Sequence, residues 1–266
     1  MSRLVTALRR RIAHTVYPQG RRKVLHRQAD GLELLVLANE DVGRELYAAG
    51  RYEADELACL KRLVRPDDVC FDVGSNVGYF SLQLASIAKA GTVHAFDPIA
   101  LNAALVQASA ALNGMRNVEV TCAALGSEPG SAQFSVSADS AYSSLRATGR
   151  KLEESTVEVP VLTLDGYVAE HAVPRVNVMK IDVEGAEAEV LQGGRALFAD
   201  RRRRPRVVLI ELYDPNFVAF GTSSAAIMQS LLGLGYGAHV PDGTALRAVA
   251  APLDDCYNYF FVDPAR

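Results

Sequence analysis

The 266 residues carry 49% hydrophobic and 22% charged side chains and a formal net charge of −3, the balance of an ordinary globular protein. At roughly 150 residues per domain this length allows one large domain, or one domain with an appendage, and a core that needs no staple. Cys59, Cys70, Cys122 and Cys256 form no CxxC pair, which argues against a zinc site or a redox motif, and no stretch reaches the roughly 20 apolar residues of a membrane span.

Charge is unevenly placed. The first 27 residues hold eight Arg and Lys and no Asp or Glu, so the rest of the chain is net acidic. Such an arm suits phosphates or an anionic membrane face. The blander reading is an amphipathic helix with Leu4, Leu8 and Ile12 turned inward. An Arg-rich, acid-poor start also resembles a transit peptide, whereas Arg9–Arg11 interrupt any secretory apolar stretch. The expected location is the cytoplasm, with peripheral membrane contact through the arm as the further option.

Residues 1–56 lack a strand–helix rhythm and read as a basic arm and lid segment. From residue 57 to 266 the rhythm is clear. A helix over Glu56–Leu63 stops before Pro66. Strands follow at Val69–Val73, Thr92–Phe96 and Val118–Ala123, separated by helices over Tyr79–Ala88 and Ala100–Leu112. Cys70 and Cys122, in or near these strands, read as small core residues. Residues 125–160 break the pattern with two short strands, Ala132–Val136 and Val157–Val161, around a mobile loop. Strands at Val176–Ile181 and Val207–Leu212 flank a helix over Ala186–Phe198. A helix over Ser223–Leu234 precedes strands Tyr236–Val240 and Tyr257–Val262. Alternating strands and helices predict a mostly parallel, Rossmann-like α/β sheet of seven strands. Its last two strands, with only a loop between them, form an antiparallel hairpin. By fold analogy that is the class I methyltransferase architecture.

The first strand runs into Asp72-Val73-Gly74-Ser75-Asn76-Val77-Gly78, a turn that opens a helix. In open α/β sheets ligands bind at the carboxyl ends of the strands. Gly74 permits the sharp turn, Gly78 lets the helix begin close to the ligand, and Asp72 offers an acceptor to an ammonium group. A dinucleotide fingerprint would need glycines where Asn76 and Tyr79 stand, and no Walker Lys follows. The D-x-G-x-x-x-G form suits S-adenosylmethionine, whose zwitterionic methionine end calls for an acidic group and backbone amides. Asp97, at the tip of the second strand, suits a bidentate bond to the ribose hydroxyls; the competing reading is a helix N-cap. Cys122 and Ala123 then flank the adenine, and Ser143-Ser144-Leu145 reads either as turn chemistry or as a lid touching cofactor or substrate.

The fourth strand ends in Lys180-Ile181-Asp182-Val183-Glu184-Gly185-Ala186-Glu187 and the fifth in Ile210-Glu211-Leu212. Carboxylates at neighbouring tips leave three roles open: a general base on a substrate hydroxyl, ligands to a Mg²⁺-type ion between Asp182 and Glu211, or bonds to loop amides. Lys180 shares a strand face with Asp182 and is expected to pair with it. Glu187 is expected in the first turn of the next helix, where the dipole favours negative charge. Arg201–Arg204 read as a solvated turn.

Taken together these segments resemble the FkbM family of methyltransferases. The matching stretches are Gly50-Arg51-Tyr52-Glu53, Phe71–Gly78, Ala124-Leu125-Gly126, Ser143-Ser144-Leu145, Leu164-Asp165 and Lys180–Glu187, spanning about residues 45–212 in the family's order. The resemblance implies a class I methyltransferase that takes S-adenosylmethionine and methylates hydroxyls of polyketides, sugars and other glycans. It implies Asp72, Gly74, Asn76, Gly78 and Asp97 as cofactor contacts; Ser75, Ala123 and Ser144 join them from their place in the loops. It marks Asp182, Glu184 and Glu187 as a signature without assigning their roles, and position at the strand tips makes Asp182, Glu184 and Glu211 the candidates for chemistry. Asp97 departs from the family's more usual Glu. The expected partner is a small-molecule or glycan acceptor. Nucleic-acid methylation, with the arm gripping phosphates, is opposed by the acidic body and the lack of an Asn/Asp-Pro-Pro-aromatic motif. A non-catalytic cofactor-binding protein is the third reading.

Overall fold

Five-residue runs such as Val69–Val73 and Thr92–Phe96 are too short for stable helices and apolar enough to be buried on both faces, the signature of a central parallel strand. In the computed structural model, which describes residues 23–137, 139–146 and 153–266, they form the middle of an eight-stranded sheet. Strands β1 (Lys23–Arg27) and β2 (Glu33–Leu37) make a separate antiparallel ribbon, followed by helices α1 (Asp41–Ala49) and α2 (Ala54–Leu63). The core alternates β3 (Val69–Val73), α3 (Tyr79–Ile87), β4 (Thr92–Phe96), α4 (Ala100–Leu112) and β5 (Val118–Thr121). A small sheet of β6 (Ala124–Leu125), β7 (Gly130–Ser137) and β8 (Glu153–Leu162) interrupts it, before α5 (Leu164–Glu170) and β9 (Val178–Ile181). Helices α6 (Glu187–Gly193) and α7 (Arg195–Ala199) lead to β10 (Val207–Glu211). Short α8 (Asp214–Phe217), α9 (Ser224–Gly233), β11 (Gly237–Asp242), β12 (Ala245–Ala248) and β13 (Asn258–Val262) complete the chain.

The sheet order is β12-β11-β13-β10-β9-β3-β4-β5. The five strands from β10 to β5 are parallel, and β13 runs antiparallel between β10 and β11. The fold is thus the Rossmann-like class I architecture with its antiparallel hairpin, plus an eighth edge strand. Ala245–Ala248 folds back on β11 after the Asp242-Gly243 turn. Its exposed, weakly β-forming sequence hides it from pattern reading. The helix expected over 186–198 is broken at Gly194.

Side chains alternate across the sheet, and each face has its own core. Phe71, Val73, Met179, Ile181, Val208 and Ile210 pack beneath α5, α6 and α9. Cys70, Val178, Leu209 and Phe260 pack on the other face against Phe80 and Leu82 of α3, Leu46 of α1 and Leu57 of α2. Residues 34–60, which show no strand–helix rhythm in sequence, therefore cover one face of the sheet. Cys122 proves to be exposed, because it falls after the end of β5; Cys70 is buried. Among the described residues no helix is long and apolar enough to cross a membrane. The basic arm to residue 22, with the proposed inward face of Leu4, Leu8 and Ile12, lies outside the described residues.

The Arg run before β10 is not a solvated turn throughout. Arg204 is buried, donating to Asp263 from Nε at 2.8 Å and Nη2 at 2.6 Å and to the Leu234 carbonyl at 2.7 Å, over the Tyr236 ring. Arg206 pairs with buried Asp68 at 2.7 Å. Removing one partner of a buried pair strands the other charge. Asp263→Ala is expected to destabilise the protein by about 3–5 kcal/mol, read as a lower urea midpoint, whereas Arg202→Ala on the exposed side of the run leaves the midpoint unchanged.

Candidate active site

Parallel pairing keeps neighbouring strands in step, so their carboxyl ends present side chains in rows. Asp72 of β3 is the register partner of Lys180 of β9 and of Ala95 of β4. The last rungs are Val73–Phe96, Val73–Ile181 and Ile210–Ile181. The next residue on each strand is Asp97, Gly74, Asp182 or Glu211, all on the face covered by α1, α2 and α3. At Gly74, with φ of 84°, an added Cβ would come within 1.8 Å of the Asp182 carbonyl oxygen. The loop after β3 can pass the tip of β9 only because no side chain stands there.

That passage turns the loop amides onto the end of β4. Gly74 and Ser75 N–H both donate to the Phe96 carbonyl, at 3.0 and 2.9 Å. Asn76, in the left-handed region at φ 48°, donates its N–H to Asp97 Oδ2 at 2.9 Å. Asp97 Oδ1 accepts from Ile99 N–H at 2.9 Å and from Asn102 Nδ2 at 3.2 Å. Asp97 therefore braces the loop and the start of α4 while still lining the cleft. Asp72 accepts from Ser81 Oγ at 2.5 Å, but its Oδ1 is buried without a partner, as is Ser75 Oγ. Two orphaned polar atoms in the cleft fit a ligand that brings hydrogen-bond donors.

The cleft measures about 1110 Å³ out to its open mouth, against the roughly 300–1,000 Å³ usual for small-molecule sites. Its roof is latched from two distant segments. Asp41 N–H donates to Asp139 Oδ2 at 2.8 Å, Ser140 N–H to Glu40 Oε2 at 3.0 Å, and the Tyr142 hydroxyl to Asp41. Below, Asn76 Nδ2 donates to Ser140 Oγ at 3.4 Å.

At the other end stand the carboxylates. Lys180 Nζ donates to Asp182 Oδ2 at 2.7 Å, the expected pair, with the ammonium 5.0 Å from the Phe80 ring centroid. Glu184, at φ 57°, accepts from Asn216 Nδ2 at 2.7 Å. Glu187 opens α6, is fully buried, and accepts the Val183 N–H at 3.0 Å. Oxygens of Asp182, Glu184 and Glu211 lie within 4.8 Å of one another, close enough for one hard cation. Asp182 already holds an ammonium and Glu184 an amide, so the cation built into this corner is Lys180.

Of the residues singled out in the sequence, Asp72, Gly74, Ser75, Asn76, Asp97, Ala123, Asp182, Glu184 and Glu211 line the cleft. Gly78 does not: an added Cβ there would meet Val106 Cγ2 at 2.9 Å, so this glycine serves α3–α4 packing rather than approach to a ligand. Ser144 does not either. Its hydroxyl donates to the Glu184 carbonyl at 2.7 Å, while Ser143 and Leu145 line the cleft. Tyr52, Glu53 and Lys180 line it as well, and sequence reading assigned them no part in the site. The signal was present for Glu53 in the Gly50–Glu53 segment, but nothing local shows that it folds over the strand tips.

A mostly parallel sheet with this hairpin and a glycine loop at the carboxyl edge defines a class I methyltransferase, a class whose methyl donor is S-adenosylmethionine. Residues 72–237 match the methyltransferase FkbM domain, and the chain belongs to that family. The 31-O-demethyl-FK506 methyltransferase FkbM of Streptomyces tacrolimicus is 30% identical over 159 residues, 49% of this chain and 60% of that protein. The hexuronic acid methyltransferase AglP of Haloferax volcanii is 32% identical over 192 residues, 69% of this chain and 73% of its own length. The chain thus spans about 60% of the length of the FkbM relative. Among solved structures, an O-methyltransferase from Bacillus cereus in complex with SAH superposes with a TM-score of 0.47 and 10% identity, over 98% of this chain and 92% of that one.

Two outcomes follow from this geometry. Gly74→Ala is expected to abolish S-adenosylhomocysteine binding in calorimetry, since the new methyl must push the loop off the tip of β9. Burial also raises Glu53, Asp97 and Glu187 to about 7. A carboxyl group raised on folding stabilises below its unfolded value and loses that contribution as pH climbs through the folded one. His26 and His94, lowered by burial, act with the opposite sign. Glu187→Gln isolates one acid: its melting temperature relative to wild type is expected to rise from pH 5 to about 7 and level off above it, and a pH-independent offset refutes titration of Glu187 in that range.

Proposed function

We propose that the protein transfers a methyl group from S-adenosylmethionine to a hydroxyl oxygen of a small-molecule or glycan acceptor. The observation that carries this is the row of carboxylates at adjacent strand tips, with Asp182 and Glu211 side by side at the end of the cleft away from Asp97. The bound cofactor supplies an electrophilic methyl on a sulfonium sulfur. In this reading Asp97 and the Ser75–Asn76 backbone hold the ribose side, Ala123 flanks the adenine, and Asp72 Oδ1 accepts from the ammonium group.

Asp182 is the proposed base. Its Oδ2 is committed to Lys180, and its side chain is 24% exposed, leaving the second oxygen for the acceptor O–H. In this reading Asp182 would take the proton that the acceptor oxygen gives up on methylation. Glu211 accepts a second acceptor hydroxyl. Glu184 shapes the corner through Asn216. Residues 1–56 would serve as arm and lid over the domain formed by residues 57–266, since Asp41, Val42, Tyr52 and Glu53 roof the cleft. The relatives' names, one for a polyketide oxygen and one for a hexuronic acid, support a hydroxyl-bearing acceptor.

Calorimetry with S-adenosylmethionine and S-adenosylhomocysteine tests the cofactor end. Micromolar binding in wild type is expected, weakened at least tenfold in Asp72→Ala. On sugar and polyketide acceptors, Asp182→Asn is expected to lower turnover by about 10²–10⁴ with cofactor affinity retained. A variant as fast as wild type removes Asp182 from the chemistry.

A further inference from the structure

One buried ammonium pairs with a single carboxylate, Asp182, and has two more, Asp72 and Glu53, in its surroundings. Lys180 is 4% exposed. Asp72, its register partner on β3, lies beside it on the same sheet face. Asp182, two residues along its own strand, accepts from Nζ at 2.7 Å. Glu53 comes from the α1–α2 turn, held in the left-handed region at φ 41° and ψ 59°, a strained conformation for a residue with a side chain. The fourth side is the Phe80 ring. Tyr52 and Glu211 stand further out, beyond Asp182 and Glu53. Among the described residues no other basic side chain lines the cleft.

Around Asp72 the inventory is shorter. It is fully buried and faces Lys180 and Asp182 on β9, Ser81 on α3, and Asp97 on β4. Burial pushes its carboxyl up, and Lys180 is the strongest influence holding it down. Without a positive charge in the adjacent rung, a carboxyl group in this position keeps its proton, and a protonated Asp72 cannot pair with an incoming ammonium group.

We propose that Lys180 is a positioning residue that keeps Asp72 ionised in the empty cleft, and so sets the lowest pH at which the cofactor's ammonium group is captured. This rests on the reading that Asp72 receives that group. It gives Lys180 a role toward the cofactor beyond its pair with Asp182. Asp97 is raised to about 7, and the Asp72 charge adds to that rise. An Asp72 that keeps its proton in the variant lowers Asp97, so a break that moves up does not come from Asp97.

The test is the affinity for S-adenosylhomocysteine, measured by calorimetry from pH 5 to 8.5 in wild type, Lys180→Met and Lys180→Arg. In wild type the affinity falls on the acid side of a break. In Lys180→Met that break is expected to move up by a unit or more, so that binding is at least tenfold weaker below it and converges on wild type above it. Lys180→Arg, which keeps the charge, is expected to keep the wild-type break. An affinity lost by the same factor at every pH is the mark of a merely structural role and overturns the proposal, as does an unmoved break. Should Lys180→Met fail to fold, Lys180→Gln replaces it. If neither folds, a Lys180→Arg protein whose break has moved is the overturning result and one whose break is retained is the supporting one. Absence of binding in wild type at all pH values sinks the cofactor reading itself, a result distinct from binding with an unmoved break.

Discussion

Everything at the cleft depends on the in-step pairing of parallel strands. Because the parallel pairings among β3, β4, β9 and β10 end on the same rung, the residues one position beyond it stand in one row. Three of the four are acidic, and the fourth is glycine. A side chain at Gly74 would collide with the backbone of β9 at Asp182. One missing Cβ therefore lets a loop cross the sheet edge beside the orphaned Asp72 Oδ1 and Ser75 Oγ, between a polar end at Asp97 and another at Asp182 and Glu211. The pleat puts the whole row on the face that residues 34–60 cover, so the roof of the cleft and the cover of one core are the same piece of chain.

Crowding acids into such a cleft has an electrostatic cost that the protein meets locally. Glu184 is tied to Asn216, Glu187 to the Val183 amide, and Asp97 to two backbone amides and Asn102. Each spreads its charge over fixed dipoles, which serve when the carboxylate stays put. Asp72 and Asp182 have fewer such partners and lie beside Lys180. The distinction is chemical: Glu184 and Glu187 are tied down by fixed donors, whereas Asp72 keeps an oxygen that no protein donor occupies.

Much of the fold was legible because its signals are local. Thr92–Phe96 and Ala100–Leu112 are bounded by turn residues and read to the residue. Asp72–Gly78 carries its context in seven positions. What was not legible is set by contacts across long sequence separations. Lys23–Leu37 has no periodicity strong enough to stand out, and Asp41–Ala49 is amphipathic but only 9 residues long, so both depend on packing against the sheet's helices rather than on propensity. Glu33 and Leu35 amides, for instance, donate to Asn113 and Ser109 side chains about 80 and 74 residues away. Arg204 looks solvated in a run of four arginines until Asp263, 59 residues on, is brought beneath it. In the same way Ser143 and Ser144 are equivalent in sequence, and only the bridge from Ser135 to Ser144 decides which faces the cleft.

The same division explains why the two ends of the cleft differ in how much they disclose. The cofactor end is built by a strand, a turn and a helix start within 30 residues, so its chemistry is written in one stretch. The acceptor end draws Tyr52 and Glu53 from before the sheet, Ser143 and Leu145 from the small sheet's loop, and Glu211 from β10. Its composition can vary without disturbing the rungs that hold Asp72, Asp97 and Asp182 in place. A family can therefore keep one methyl donor while changing what it methylates, because the register that presents the donor does not depend on the segments that enclose the acceptor.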